Sequence, residues 1–138
     1  MFEFVSHSAE ETVRFAGEFA KKLEAGAVIL YTGDLGAGKT TFTKGIASAL
    51  GITETVTSPT FALVNEYYGK LPLFHFDLYR INNIDDLYAI GFFDYLDRGG
   101  IIAAEWSENI PELEDELENV VKVRIDKLSD TERRIVIL

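Results

Sequence analysis

The sequence predicts an α/β domain with a mixed sheet: parallel strands at the centre, antiparallel hairpins beside them, and helices on both faces. Two continuous apolar runs, residues 27–31 and 101–104, are typical of parallel strands buried on both faces. A glycine-rich stretch follows the first run, and an amphipathic segment then begins at Lys39. We therefore expect a strand, a tight loop and a helix in succession.

The segment before the first apolar run predicts a short strand and a helix. Residues 2–5 have strand character, and Ser8 with Glu11 three residues later is a capping-box signature for a helix start. Apolar side chains then recur at helical spacing as far as Leu23, and Gly26 is a natural terminator. The helix that starts at Lys39 is expected to end at Gly51.

The rest of the chain alternates strand-like and helical segments. Pro59 interrupts a polar stretch, residues 53–60, which predicts a loop. Asn83 is a good cap for a short helix that runs to Ile90. The remaining expected elements are a hairpin of residues 61–67 and 71–78, a helical turn at 92–97, a strand at 101–104, an ambiguous acidic segment at 111–118, and a second hairpin of 120–125 and 134–138.

Composition limits the function classes. The chain has 138 residues, which fits one domain spanning residues 1–138. Its formal net charge of -10 disfavours direct binding to nucleic acid, because such binding depends on basic side chains that neutralise phosphates. The absence of cysteine excludes disulfides and thiolate chemistry. With no signal-like start and no long apolar run, we expect a cytoplasmic protein without membrane contact.

The glycine-rich stretch matches the phosphate-loop pattern G-x-x-x-x-G-K-[ST] in full. Glycines let backbone N–H groups approach phosphate oxygens, and the following helix directs its positive end to the same place. Lys39 supplies an ammonium for the β- and γ-phosphates, and the Thr40 hydroxyl suits Mg²⁺. The pattern predicts a site for ATP or ADP with Mg²⁺. The residues expected to bind it are Gly33, Asp34, Leu35, Gly36, Ala37, Gly38, Lys39, Thr40 and Thr41.

Two acids are candidates for the carboxylate that accompanies such a loop. Asp77 and Glu105 each follow an apolar strand, where a side chain emerges at the edge of the sheet. Either could hold Mg²⁺ or orient the attacking water, and taken singly each could be an ordinary exposed acid. We expect Lys39, Asp77 and Glu105 to form the catalytic group, with Thr40 and Glu105 at the metal.

Further polar and aromatic residues have both a functional and a structural interpretation. The loop residues Thr57, Ser58 and Thr60 could sense the γ-phosphate, or form a plain turn. His75 fits a hydrogen-bonded strand histidine at least as well as a catalytic group. Trp106 could border the nucleotide or belong to the core, and Arg80 could stabilise charge or pair with a nearby acid.

Four motifs, in this order and spacing, resemble the TsaE family, the small bacterial P-loop ATPases of tRNA threonylcarbamoyladenosine synthesis. They are GDLGAGKTT at 33–41, TSPTF at 57–61, HFDLYR at 75–80 and EW at 105–106. The resemblance extends over nearly the whole chain. It implies a single P-loop domain that binds ATP and hydrolyses it weakly by itself.

The resemblance also implies partners and roles. Members act with a TsaB–TsaD heterodimer, which attaches threonylcarbamoyl to N6 of adenosine 37 in tRNAs that read codons beginning with A. ATP hydrolysis by the TsaE member supports repeated turnover, and tRNA is contacted only through the complex. The resemblance gives Lys39 and Thr40 the Walker A roles, Glu105 the metal and Asp77 an essential acid. It places Ser8, and Arg133 or Arg134, near the nucleotide base.

Two other functions remain open on the sequence alone. A small-molecule kinase would need an arginine-rich acceptor site and a lid, and the six arginines do not cluster near the phosphate loop. A passive nucleotide-gated binding module would bind ATP without hydrolysing it. Phosphoryl transfer to nucleosides or sugars would indicate the kinase, and binding without hydrolysis in any complex would indicate the passive module.

Overall fold

The computed structural model describes residues 1–34, 38–59 and 63–138. Helices and strands follow one another in the order expected from the sequence, and most boundaries fall within two residues of the expected ones. The elements are β1 (Phe2–Ser6), α1 (Ala9–Ala20), β2 (Val28–Gly33), α2 (Lys39–Ala49), β3 (Val64–Tyr67), β4 (Leu73–Asp77), α3 (Ile84–Ala89), α4 (Phe92–Leu96), β5 (Ile101–Glu105), β6 (Val120–Lys127) and β7 (Arg133–Ile137). Short 3-10 helices cover Ser107–Asn109 and Pro111–Glu116.

The described strands form one seven-stranded sheet in the order β1-β7-β6-β2-β5-β4-β3. The central strands β6, β2, β5 and β4 are parallel, and the pairs β1/β7, β6/β7 and β3/β4 are antiparallel. This confirms the mixed sheet with two hairpins. Because carboxyl ends of parallel strands share one edge, the residues that follow β2, β4, β5 and β6 come together there.

Each face of the sheet carries its own apolar core, so helices cover both faces as expected. Alternate residues of β2 divide between the cores, since successive strand side chains point to opposite faces. Ile29 and Tyr31 pack with α1 and α2, whereas Val28 and Leu30 pack with α3, α4 and the Pro111–Glu116 segment. The two faces will be called the α1/α2 face and the α3/α4 face.

The first helix begins and ends for identifiable reasons. The Ser8 hydroxyl accepts a hydrogen bond from the backbone N–H of Glu11, which confirms the expected cap. The helix ends at Ala20 rather than continuing to Leu23, because the N–H groups of Lys22 and Leu23 bond to Phe19 and Ala20, three residues back. Such tightening of the last turn is common at helix ends.

Other expectations also hold over the described residues. Asn83 caps α3 by accepting from the N–H of Asp86. The segment from Lys39 is amphipathic as expected, since α2 buries Phe42 and Ile46 completely. Residues 60–62, which include Thr60 and the expected start of the strand before Tyr67, lie outside the described residues. Within the described ranges, no helix combines the length and the apolar character needed to span a bilayer.

Candidate nucleotide-binding site

The start of the phosphate loop is held against β6. Gly33 ends β2 with φ of +109°, and a Cβ at this position would collide with the carbonyl oxygen of Ile125. Only glycine fits here, on both conformational and steric grounds. Asp34 continues the contact, since its N–H donates to Ile125 and its carboxylate accepts from the N–H of Lys127 at 3.0 Å. Leu35, Gly36 and Ala37 lie outside the described residues.

Lys39 is a largely buried cation without an acidic partner in the described part of the chain. Its residue is 7% exposed, and its ammonium lies 5.5 Å from the centroid of the Trp106 ring. No carboxylate of the described residues forms an ion pair with it. A buried charge normally has a partner of opposite sign, so an anionic ligand would suit this position. Thr40, the next residue, is half-buried on the first turn of α2.

A buried hydrogen-bond chain fixes the turn that carries Lys39. The Tyr31 hydroxyl lies 2.8 Å from Thr43 Oγ1, which donates to the carbonyl of Lys39 at 2.8 Å. Burial raises the pKa of the Tyr31 phenol well above its usual range, so the phenol keeps its proton and donates to Thr43. Tyr31, the last buried residue of β2, thereby connects this strand to the start of α2. Sequence reasoning missed this pair.

The two candidate acids lie side by side. Asp77 of β4 is in register with Glu105 of β5, at the carboxyl ends of two adjacent parallel strands. Asp77 Oδ1 accepts a hydrogen bond from the N–H of Tyr79 at 3.0 Å. Glu105 Oε2 lies 2.7 Å from Nε2 of His75, whose side chain is fully buried. His75 therefore contacts a candidate metal ligand.

The indole of Trp106 contacts both Lys39 and Tyr79. Trp106 has φ of +67°, which is rare for a residue with a Cβ and costs roughly 1–2 kcal/mol. This conformation turns the chain sharply after Glu105 into the Ser107–Asn109 helix. The ring lies 5.1 Å from that of Tyr79, in an edge-to-face contact. Trp106 also packs against the core of the α3/α4 face, so its surroundings agree with both interpretations of this residue.

A cavity of about 320 Å³ opens beside the start of α2. Four of its lining residues are among those expected to bind nucleotide: Ser8, Gly38, Thr41 and Arg133. The Arg133 guanidinium donates to the carbonyl oxygens of Ser129 and Glu132. Arg134, the alternative to Arg133, instead pairs with Glu3 of β1 at 2.7 Å.

The same cavity is lined by residues that sequence reasoning did not select. They are His7, Ala9, Glu10, Thr12, Asp130 and Thr131. The last two lie in the turn between β6 and β7. That turn reaches the site because β6 is parallel to β2 and directly beside it. Predicting that this turn lines the cavity would have required knowing that β6 pairs with β2, and no pattern in the sequence indicates that pairing.

The remaining candidate site residues are Thr57 and Ser58 of the switch-like loop, and Arg80. Thr57 bonds to β3, with its N–H donating to the Tyr67 hydroxyl and its carbonyl accepting from Asn65. Ser58 is exposed. Arg80 is exposed as well, and the expected alternative, an ion pair with a nearby acid, does not occur among the residues that the structure describes.

The hydroxyl of Thr40 and the carboxylate of Glu105 suit Mg²⁺, which needs few ligands from the protein itself. The described ranges contain no cluster of three or more acidic or histidine side chains able to hold a metal. Mg²⁺ is commonly bound by one or two carboxylates together with phosphates and waters. Thr40 and Glu105, with the phosphates of a bound nucleotide, fit that requirement.

Comparison with known proteins identifies one family. The family model described as threonylcarbamoyl adenosine biosynthesis protein TsaE matches residues 6–135. TsaE of Treponema pallidum is 38% identical over 96% of this chain and 97% of that protein. TsaE of Bacillus subtilis is 43% identical over 91% of this chain and 78% of that protein.

A solved structure agrees as well. The crystal structure of YdiB from Bacillus subtilis matches with a TM-score of 0.78 and 36% identity. The match covers 97% of this chain and 82% of YdiB. The fold, the matched residues and the similarity along nearly the whole chain lead to one conclusion. This chain belongs to the TsaE family.

Proposed function

We propose that this protein binds ATP with Mg²⁺ at the start of α2 and hydrolyses it slowly by itself. The observation that carries the proposal is the largely buried Lys39, whose ammonium has no acidic partner among the described residues. A phosphate group would neutralise this charge. Its neighbours at the helix start, Gly38 and Thr40, supply the turn and the hydroxyl that such a ligand requires.

The surrounding groups have complementary roles in this proposal. Thr40 and Glu105 would hold Mg²⁺, which would supply polarisation of the transferred phosphate. Asp77, in register with Glu105, would orient the attacking water. The neighbouring cavity, with Ser8 and Arg133 on its wall, would receive the nucleoside part of the ligand.

The biological role follows from the family. Relatives of this chain are named as tRNA threonylcarbamoyladenosine biosynthesis proteins, and we propose the same pathway here. The acidic protein would act with a TsaB–TsaD heterodimer, reaching tRNA only through that assembly, because its net charge of -10 opposes unaided contact with RNA. Hydrolysis of ATP would support repeated turnover of the complex.

Nucleotide titration followed by tryptophan fluorescence tests the binding site. Trp106 is the sole tryptophan and contacts Lys39, so its emission should change when ATP binds. We expect Glu105→Ala to weaken affinity by about tenfold or more with Mg²⁺ and by less than about twofold in EDTA, because the carboxylate acts through the metal. The titration should be repeated by calorimetry, since Trp106 adjoins the substituted residue.

Glu108→Ala is the matched control for this experiment. Glu108 is an exposed acid three residues along the chain, so its removal changes the net charge equally but should leave both affinities unchanged. Equal losses of affinity for Glu105→Ala in Mg²⁺ and in EDTA would indicate a structural role. An unchanged Trp106 signal at saturating ATP, with binding confirmed by calorimetry, would place the nucleotide elsewhere.

A further inference from the structure

His75 has a burial and a contact that an ordinary strand histidine does not need. It is the middle residue of β4, and its side chain is 0% exposed on the α1/α2 face of the sheet. Its neighbours along the strand, Phe74 and Phe76, pack into the opposite core. A polar ring in this apolar environment requires a hydrogen-bond partner. That partner is Glu105.

The contact runs diagonally between the two strands. His75 is in register with Ala103, and Glu105 is two residues further along β5, on the same face. Ala103, the residue of β5 opposite His75, has a small side chain. A donor on a shorter side chain at position 75 would not reach the carboxylate.

The hydrogen bond has a defined direction. A carboxylate only accepts, so Nε2 of His75 carries the proton and donates to Oε2 of Glu105 at 2.7 Å. Nδ1 is buried and has no hydrogen-bond partner among the described residues. A proton on Nε2 can therefore be donated to Glu105, whereas a proton on Nδ1 would have no acceptor among the described residues. This arrangement fixes Oε2, while Oε1 of Glu105 accepts no hydrogen bond from the residues that the structure describes.

We propose that His75 is a positioning residue that holds the Glu105 carboxylate in one orientation for Mg²⁺. The inference rests on the proposed function, because Glu105 is assigned to the metal there. Groups that orient metal ligands typically change metal affinity by about 10- to 100-fold when they are removed. The expected consequence is a defect in Mg²⁺-dependent nucleotide binding, with binding in EDTA left intact.

Two amide substitutions separate positioning from simple burial of a polar group. The Gln side chain can place its N–H₂ close to the position of Nε2, whereas the Asn side chain is one methylene shorter. The quantity to measure by calorimetry is the ratio of the ATP dissociation constants in EDTA and in Mg²⁺. We expect His75→Asn to lower this ratio by about tenfold and His75→Gln to keep it within about twofold of wild type. Thermal melts of both variants establish that they are folded.

The outcomes distinguish this inference from the proposed function. If the wild type itself shows no Mg²⁺-dependent gain in affinity, the metal assignment of Glu105 fails and this inference fails with it. The inference about His75 is refuted, and the proposed function stands, in either of two cases. In the first, the wild type shows the Mg²⁺-dependent gain in affinity and His75→Asn retains it. In the second, His75→Asn and His75→Gln lose the gain equally. The double variant His75→Asn, Glu105→Ala should lose no more than Glu105→Ala, because both changes act on one ligand.

Nitrogen NMR of the wild-type imidazole gives a second measurement that needs no variant at position 75. We expect a ring with a protonated Nε2 and a bare Nδ1. The other histidine, His7, is exposed and meets Glu132 through Nδ1, so His7→Gln assigns the signals. A proton on Nδ1 with a bare Nε2 would overturn the inference, because Nε2 could then not donate to Glu105.

Discussion

Lys39→Ala should reduce ATP hydrolysis by at least about 100-fold, the usual effect of removing one group that stabilises transition-state charge. The Lys39 ammonium is held at the first residue of α2 by burial and by the Trp106 ring, with no carboxylate of the described residues to neutralise it. Its removal takes away the ammonium beside the phosphates and leaves only the proposed Mg²⁺ to stabilise the negative charge that develops there. The measurement is steady-state release of inorganic phosphate at saturating Mg²⁺-ATP.

The free energy of unfolding of Lys39→Ala distinguishes a loss of hydrolysis caused by the missing ammonium from one caused by unfolding. Because an unneutralised buried cation is unfavourable, Lys39→Ala should leave the free energy of unfolding without nucleotide unchanged or slightly higher. Lys22→Ala is the matched control: Lys22 is exposed just beyond α1, whose 12 residues span roughly 18 Å from the cavity at Ser8. Hydrolysis near the wild-type rate in Lys39→Ala would refute the proposed site.

Gly45→Ala should destabilise the whole domain by about 2–3 kcal/mol, lowering the melting temperature by roughly 10 °C. Gly45 lies where α2 crosses α1, and both helices cover the same core. A methyl group there would collide with the carbonyl oxygen of Val13 and come 2.6 Å from Cβ of Ala16. Backbone atoms and an alanine Cβ cannot rotate away, so the helices must separate. Thermal unfolding measures the effect.

Gly17→Ala is the matched control on the facing helix. A methyl group there meets only the carbonyl oxygen of Gly45 at 3.5 Å, an ordinary contact. Because alanine favours a helix over glycine, we expect a gain of up to about 1 kcal/mol. If Gly45→Ala melted at or above the wild-type temperature, the close approach of α1 and α2 would be wrong.

Local sequence patterns predicted most of the helices and strands, because each pattern depends only on residues close together in the chain. The Ser8 and Asn83 caps need only their neighbours three residues on, and the apolar runs that became β2 and β5 are continuous. The helix end at Ala20 was less predictable. The apolar spacing continues to Leu23, and the tighter last turn depends on backbone geometry that side-chain pattern does not encode.

Long-range pairing explains what the sequence could not reveal about the site. That Asp77 and Glu105 each lie at the end of an apolar strand could be anticipated, but the pairing of β4 with β5 that makes them neighbours could not. The turn with Asp130 and Thr131 could not, because β6 lies beside β2 although about 90 residues separate them.

Buried polar partnerships were equally inaccessible from the sequence. The bonds of Tyr31 to Thr43 and of His75 to Glu105 join residues on different elements, and no spacing in the chain indicates them. The sequence left a structural and a catalytic interpretation of His75 open. Its buried contact with Glu105 is the hydrogen bond that a strand histidine needs. In the inference proposed above, the same contact orients the carboxylate without His75 touching the substrate.

The most direct test of the central claim is the rate of ATP hydrolysis by the protein alone and with the TsaB–TsaD heterodimer from the same organism. We expect a slow basal rate that rises at least about tenfold with the partners, and no rise when Lys39→Ala replaces the wild type. Lys22→Ala should respond like the wild type. If protein shown to bind ATP hydrolyses it at the same rate with and without the partners, the proposed partner-dependent ATPase is contradicted.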